Sequence, residues 1–140
     1  MAIVIDASMT MAWCFEDEAS DDTDAVLDRV GEEGALVPSL WRFEVANVLL
    51  VAERRGWLKQ ARATRFLTLL DQLPIQVAEA TSDTSALLGA ARVSGLSAYD
   101  AAYLLLAEVL GAPLATLDAG LAKAAGAAGL TVLPQRTSPR

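Results

Sequence analysis

The chain contains no histidine. That absence excludes imidazole acid–base catalysis, Ser-His-Asp and Cys-His nucleophile systems, and His-ligated zinc. It contains one cysteine, Cys14, which can form neither an internal disulfide nor a cysteine metal cluster. Cys14 reads as a small buried hydrophobe in a reducing compartment. Long apolar runs are also missing. Val45 to Ala52 is broken by Asn47, and Ala101 to Ala107 is ended by Glu108, so neither approaches the roughly twenty residues of a membrane span. The opening Met-Ala-Ile-Val-Ile-Asp carries neither a basic region nor a small-residue cleavage site. A cytoplasmic chain with no membrane partner is expected.

What is present fits one globular domain. The chain has 140 residues, 54% of them hydrophobic, enough to bury a real core. The expected layout is a domain over residues 1–133 and a flexible tail over 134–140. The formal charge is −7, unevenly placed. Residues 16–33 hold nine acids against one base, Arg29, while the remainder holds nine acids and ten bases. The low pI therefore describes one solvated segment and does not argue against an anionic partner.

Short apolar runs alternate with helical patterns. Ala2–Ile5, Ala35–Val37, Ile75–Val77, Pro113–Leu117 and Leu130–Leu133 read as strands. Ser8 is expected to cap a short helix reaching Phe15, and Ser20 opens an amphipathic helix to Glu33, stopped by Gly34. Ser39 is expected to cap a long helix to Arg55, followed by one over Lys59–Leu73. Thr81 or Ser82 opens a helix to Val93, Ser97 caps one to Leu110, and Asp118 caps one to Ala128. Strands alternating with helices predict an α/β fold: a single three-layer domain with a five-stranded parallel sheet flanked by helices.

In such a sheet, ligands bind beyond the carboxyl ends of the strands. Asp6 follows strand one and Asp118 follows strand four, so both stand on that edge. Glu44 sits in the apolar run Leu40–Leu50, with Asn47 one turn on along the same face. Asp100 opens the apolar run Ala101–Ala107. Singly, each acid has an ordinary explanation: a turn residue for Asp6, a solvated face for Glu44, a capping box with Ser97 for Asp100, an N-cap for Asp118. Together they are two acids at strand ends and two in greasy helices, with no Lys or Arg nearby on those helices to pair with Glu44 or Asp100. A buried carboxylate without a partner is costly. A hard divalent cation, Mg²⁺ or Mn²⁺, removes the mutual repulsion and prefers oxygen donors.

The segments Val-Ile-Asp6-Ala-Ser8, Phe-Glu44-Val-Ala-Asn47, Leu-Ser97-Ala-Tyr-Asp100-Ala-Ala-Tyr and Ala-Thr116-Leu-Asp118-Ala-Gly-Leu resemble, in order and spacing, the PIN domain, in particular VapC-type toxins of toxin–antitoxin pairs. The resemblance covers essentially the whole chain. It implies a Mg²⁺- or Mn²⁺-dependent ribonuclease whose products carry 5′-phosphate and 3′-hydroxyl ends. It implies catalytic roles for Asp6, Glu44, Asp100 and Asp118, with Asp6, Asp100 and Asp118 on the metal and Glu44 bound directly or through water. Ser8, Asn47 and Thr116 match the polar positions that hold the acids. The resemblance also implies a homodimer and a cognate antitoxin that lays an apolar segment into a groove and pushes a basic side chain toward the acids. The candidate apolar contacts are Trp13, Phe15, Trp41, Trp57 and Phe66, of which Trp57, next to Gly56, is the one expected near the surface.

An RNA substrate needs positive charge near the site. Arg54, Arg55, Lys59, Arg62 and Arg65 cluster at one helix junction, either as a phosphate-steering patch or as ordinary solvated helix ends. Nothing in the chain resembles a helix-turn-helix or basic arm, so DNA contact is expected only through the antitoxin. Rival readings are a PIN-fold RNA-processing nuclease that is no toxin, and a catalytically silent interaction module, against which four intact acids argue. A receiver or dehalogenase domain fails: Asp6 lacks a second acid beside it, position 8 is Ser, and no Lys stands where Thr116 is.

Overall fold

The computed structural model describes residues 1–78 and 82–135. Its sheet has five parallel strands: β1 (Ile3–Ile5), β2 (Ala35–Val37), β3 (Ile75–Val77), β4 (Leu114–Ala115) and β5 (Val132–Leu133), in spatial order 3-2-1-4-5. All five predicted strands form, the last two shorter than expected. β1 lies between β2 and β4 and is wholly buried, Ile3, Val4 and Ile5 alike, which is why its sequence is continuous rather than alternating. The edge strand β3 is mostly exposed, and its Gln76 shows it in the sequence.

Seven α-helices flank the sheet among the described residues: α1 (Ala7–Ala12), α2 (Asp21–Glu33), α3 (Leu40–Arg54), α4 (Gln60–Gln72), α5 (Thr84–Ser94), α6 (Ala98–Leu110) and α7 (Ala119–Ala127). The result is the expected three-layer α/β domain. α3 buries Trp41, Val45, Leu49 and Ala52, one residue per turn, and α6 buries Ala101, Tyr103, Leu104, Leu106 and Ala107. α6 packs against β1 and β4, and α1 against α3. Cys14 is buried, as its composition suggested. No single described helix is long and apolar enough to cross a membrane.

Several helix starts differ from expectation. Asp6, not Ser8, caps α1: its carboxylate accepts from the Met9 N–H, and Ser8 lies inside the first turn. α1 also ends at Ala12, and the chain reaches a 3₁₀ turn over Glu16–Glu18 by way of Phe15. Ser39 precedes α3 with helical backbone and makes no side-chain cap. α5 is capped by Asp83 rather than Ser82; Thr81 lies outside the described residues, as does the tail from residue 136. Ser97 and Asp118 cap as predicted, and Ser20 caps the helix expected to begin near it. Gly34 turns α2 into β2 at φ 83°, and a Cβ there would stand 3.2 Å from the Pro74 carbonyl oxygen, so this turn requires glycine.

Candidate active site

The strand order reverses between β1 and β4, and the crevice beyond their carboxyl ends is where an α/β sheet binds ligands. Register places the first polar residues there. Ile5 pairs with Ala115, so Asp6 and Thr116 leave the sheet side by side. The Thr116 hydroxyl donates to Asp6 Oδ2 at 2.5 Å, and Ser8 Oγ donates to Asp6 Oδ1 at 2.7 Å, which also accepts from Met9 N at 2.9 Å. Asp6 is 4% exposed; two donors engage Oδ1 and one engages Oδ2, which keeps a lone pair toward the site. Ser8 and Thr116 extend the network: Leu117 N donates to Ser8 Oγ and Asp118 N to Thr116 Oγ1. Both hydroxyls therefore tie the Asp6 and Asp118 loops together.

The remaining acids arrive on helices. Asp118 caps α7 through Oδ1, which accepts from Leu121 N at 2.9 Å. Gly120 preserves that approach, since a Cβ there would lie 3.3 Å from Asp118 Oδ1. Asp100 sits in the first turn of α6, its N–H donating to the capping Ser97 hydroxyl. Glu44 comes from α3, half-buried, and accepts from the Tyr103 hydroxyl. α3 is itself anchored to α1: Trp41 Nε1 donates to Thr10 Oγ1 at 2.9 Å, which in turn donates to the Asp6 carbonyl at 2.8 Å.

The four acids form one electrostatic neighbourhood centred on Asp100. Burial raises the Asp6 carboxyl above its ordinary value, against the Thr116, Met9 and Ser8 hydrogen bonds, and the Asp100 charge adds to the rise. Burial likewise raises Glu44, with Asp100 adding to it and the Tyr103 hydrogen bond opposing it. Asp100 is raised by burial and then by Asp118. Among the described residues the ion pairs are Met1–Glu33, Arg29–Glu33 and Arg62–Glu16, so no basic side chain neutralises the cluster. Among the described residues, no three acids are placed so that together they could hold a metal ion as they stand. The donor set is oxygen-only, with lone pairs left on Asp6 Oδ2, Glu44, Asp100 and Asp118, and its chemistry suits a hard divalent cation rather than zinc or copper.

These shifts predict a pH effect. A carboxylate raised in the folded state binds more protons than its unfolded counterpart between the two pKa values, so its contribution to stability falls as pH rises through that window. Glu44→Gln keeps an acceptor for Tyr103 and removes the charge. In chelator, its thermal midpoint relative to wild type is expected to climb as pH rises through and beyond the ordinary glutamate range, because the raised Glu44 carboxyl costs the wild type stability as it ionises. A difference that stays flat as pH rises would contradict a Glu44 carboxyl raised by burial and by the Asp100 charge.

Other predicted residues divide. Asn47 is exposed one turn beyond Glu44 and makes no hydrogen bond to a site acid among the described residues; it instead walls an apolar cleft with Phe15, Val48, Val51, Trp57 and Arg62. That cleft shares Phe15, Glu18 and Val48 with a second one reaching Ser8 and Asp118, so an apolar groove with Glu16, Asp17 and Glu18 on its rim leads to the acids. Trp57 is 68% exposed, as expected, whereas Trp41 and Phe66 are buried core and Trp13 and Phe15 are half-buried. Arg54, Arg55, Lys59 and Arg65 are exposed, Arg55 lying 5.0 Å over the Trp57 ring. Arg62 instead donates to the Cys14 carbonyl at 3.1 Å, tying α4 to the end of α1. Sequence reasoning missed Tyr103. The available signal was a phenol one turn after Asp100 in an apolar helix, where a buried hydroxyl needs a partner.

Fold and site together define an α/β protein with a carboxylate-lined, oxygen-only site at the switch point of a parallel sheet. The PIN domain model matches residues 3–127, and the chain belongs to the PIN-domain family. Ribonuclease VapC3 of Pyrobaculum aerophilum is 36% identical over 128 residues, spanning 88% of this chain and 94% of its own. The crystal structure of PAE2754 from the same organism superimposes with a TM-score of 0.73 at 25% identity, covering 94% of this chain and 89% of that one.

Proposed function

We propose that the chain is a divalent-cation-dependent endoribonuclease, the toxin of a toxin–antitoxin pair, acting in the cytoplasm as a homodimer. The observation that carries this reading is the set of four mutually interacting acids beyond the strand ends with no basic side chain paired to them among the described residues. Similarity to a protein named as a ribonuclease VapC supports RNA as the substrate.

Asp6, Asp100 and Asp118 would hold Mg²⁺ or Mn²⁺, with Glu44 bound directly or through water. When bound, the cation supplies Lewis-acid stabilisation of the charge that develops during phosphodiester hydrolysis. The chain does the rest. Ser8, Thr116 and the Met9 N–H fix the Asp6 carboxylate. The Leu121 N–H fixes one Asp118 oxygen and leaves the other for the site. No histidine is present to move protons, which suits a site that works through carboxylates and a cation.

Arg54, Arg55, Lys59 and Arg65 would steer the phosphate backbone, with Arg62 contributing less because Cys14 and Glu16 engage it. The groove from Trp57 past Val48 to Asp118 suits the antitoxin: its walls take an apolar segment and its acidic rim favours a basic side chain. Arg55 stacks on Trp57 and Arg62 lines the same groove, so a bound antitoxin would also cover part of the steering patch.

Incubating the purified chain with cellular RNA, with Mg²⁺, Mn²⁺ or chelator, and sequencing the new 5′ ends tests the activity. Discrete cuts that require the cation are expected. Cuts that persist in chelator, or no cuts beyond a protein-free control, would overturn the reading.

A further inference from the structure

We propose that Tyr103 is a positioning residue: its phenol orients the Glu44 carboxylate for the divalent-cation site. The inference rests on the carboxylate-site reading above.

Glu44 and Asp100 reach the site from different helices, α3 and α6. A glutamate on a helix surface has several rotamers, and holding one of them costs conformational entropy. Among the described residues, Glu44 has one hydrogen bond, from Tyr103 Oη to Oε1. Tyr103 is itself fixed. It is 1% exposed and packed in the core, and its hydroxyl has this one hydrogen bond among the described residues. Tyr103 stands three residues after Asp100, so one turn of α6 presents an acid to the site and, a turn later, a donor to the acid from α3. α6 therefore carries one carboxylate and sets the direction of another. With Oε1 engaged by the phenol, Oε2 is the oxygen left for the cation or its water. A donor that orients a metal-binding carboxylate in this way tunes affinity without touching the ion.

A merely structural tyrosine would satisfy its hydroxyl on whatever acceptor lay nearest, and losing it would not alter cation affinity. Manganese titration of the full chain separates the two cases. Tyr103→Phe keeps the buried ring and removes the donor. The dissociation constant for Mn²⁺ is expected to rise about 10- to 100-fold, while the thermal midpoint in chelator moves by only a few degrees, on the order of one lost hydrogen bond. In a Glu44→Gln background the same substitution is expected to change Mn²⁺ affinity by less than about two-fold, because its effect passes through Glu44. Glu44→Asp is a second probe: it retains the charge and shortens the arm beyond reach of the phenol, so it is expected to lose affinity, and Tyr103→Phe is expected to add little to that loss. Equal Mn²⁺ affinity in wild type and Tyr103→Phe overturns the proposal, as does an equal loss in both backgrounds. Failure of the wild-type chain to bind Mn²⁺ would instead refute the site reading itself, and the proposal with it.

Discussion

Asp100→Asn is expected to lower RNA cleavage on the order of 10³-fold or more, comparable to removing a principal charge-stabilising group from an active site. Asp100 is the common partner in the electrostatics of the site, adding to the rise of both Asp6 and Glu44 and being raised in turn by Asp118. The same change should stabilise the metal-free chain at neutral pH. Its side chain is partly exposed, so solvent screening limits the gain to about 1 kcal/mol, a shift of roughly 2–4 °C in thermal midpoint for a chain of this size. Loss of activity with a gain in apo stability marks a group that opposes folding and serves function. Cleavage assays beside thermal denaturation in chelator check both halves, and a variant that is inactive and less stable would point to a structural acid.

Thr116→Val is expected to damage stability and activity together. One hydroxyl joins the two strand-end acids: it donates to Asp6 Oδ2 and accepts from the Asp118 N–H. Valine fills the same space and does neither. Asp6 is almost wholly buried, so water cannot replace the lost donor, and an unsatisfied polar group of this kind costs about 2–3 kcal/mol. Cleavage should fall about 10- to 100-fold through misplacement of Asp6 and Asp118. Thr116→Ser keeps the hydroxyl and should recover most of both losses. If serine loses as much as valine, keeping the hydroxyl does not sustain the site and the hydrogen-bond account fails.

The parts of this site that could be read from the sequence are those set by local pattern. A β-branched run that stops at Asp6 announces a buried parallel strand and an acid at its carboxyl end, and an acid in a greasy helix announces Glu44 and Asp100. The remainder depends on which strands are neighbours. Thr116 meets Asp6 because β4 lies beside β1, a pairing across more than a hundred residues. Tyr103 meets Glu44 across 59 residues, and no periodicity encodes that. Helix caps failed for a different reason. Asp6 and Ser8, or Ser82 and Asp83, are all competent caps, and backbone geometry at the entry to the helix selects among them. Asn47 shares a face with Glu44 by spacing, yet α3 turns that part of the face toward the groove beside Trp57 rather than toward the acids.

The claim that four acids form a divalent-cation site is tested most directly by Mn²⁺ titration of the purified wild-type chain beside Asp6→Asn and Asp100→Asn, followed calorimetrically at neutral pH. Saturable binding in wild type, lost in both variants while each remains folded by thermal denaturation, is the predicted result. Wild-type binding that survives unchanged in both variants would place the cation elsewhere and contradict the account.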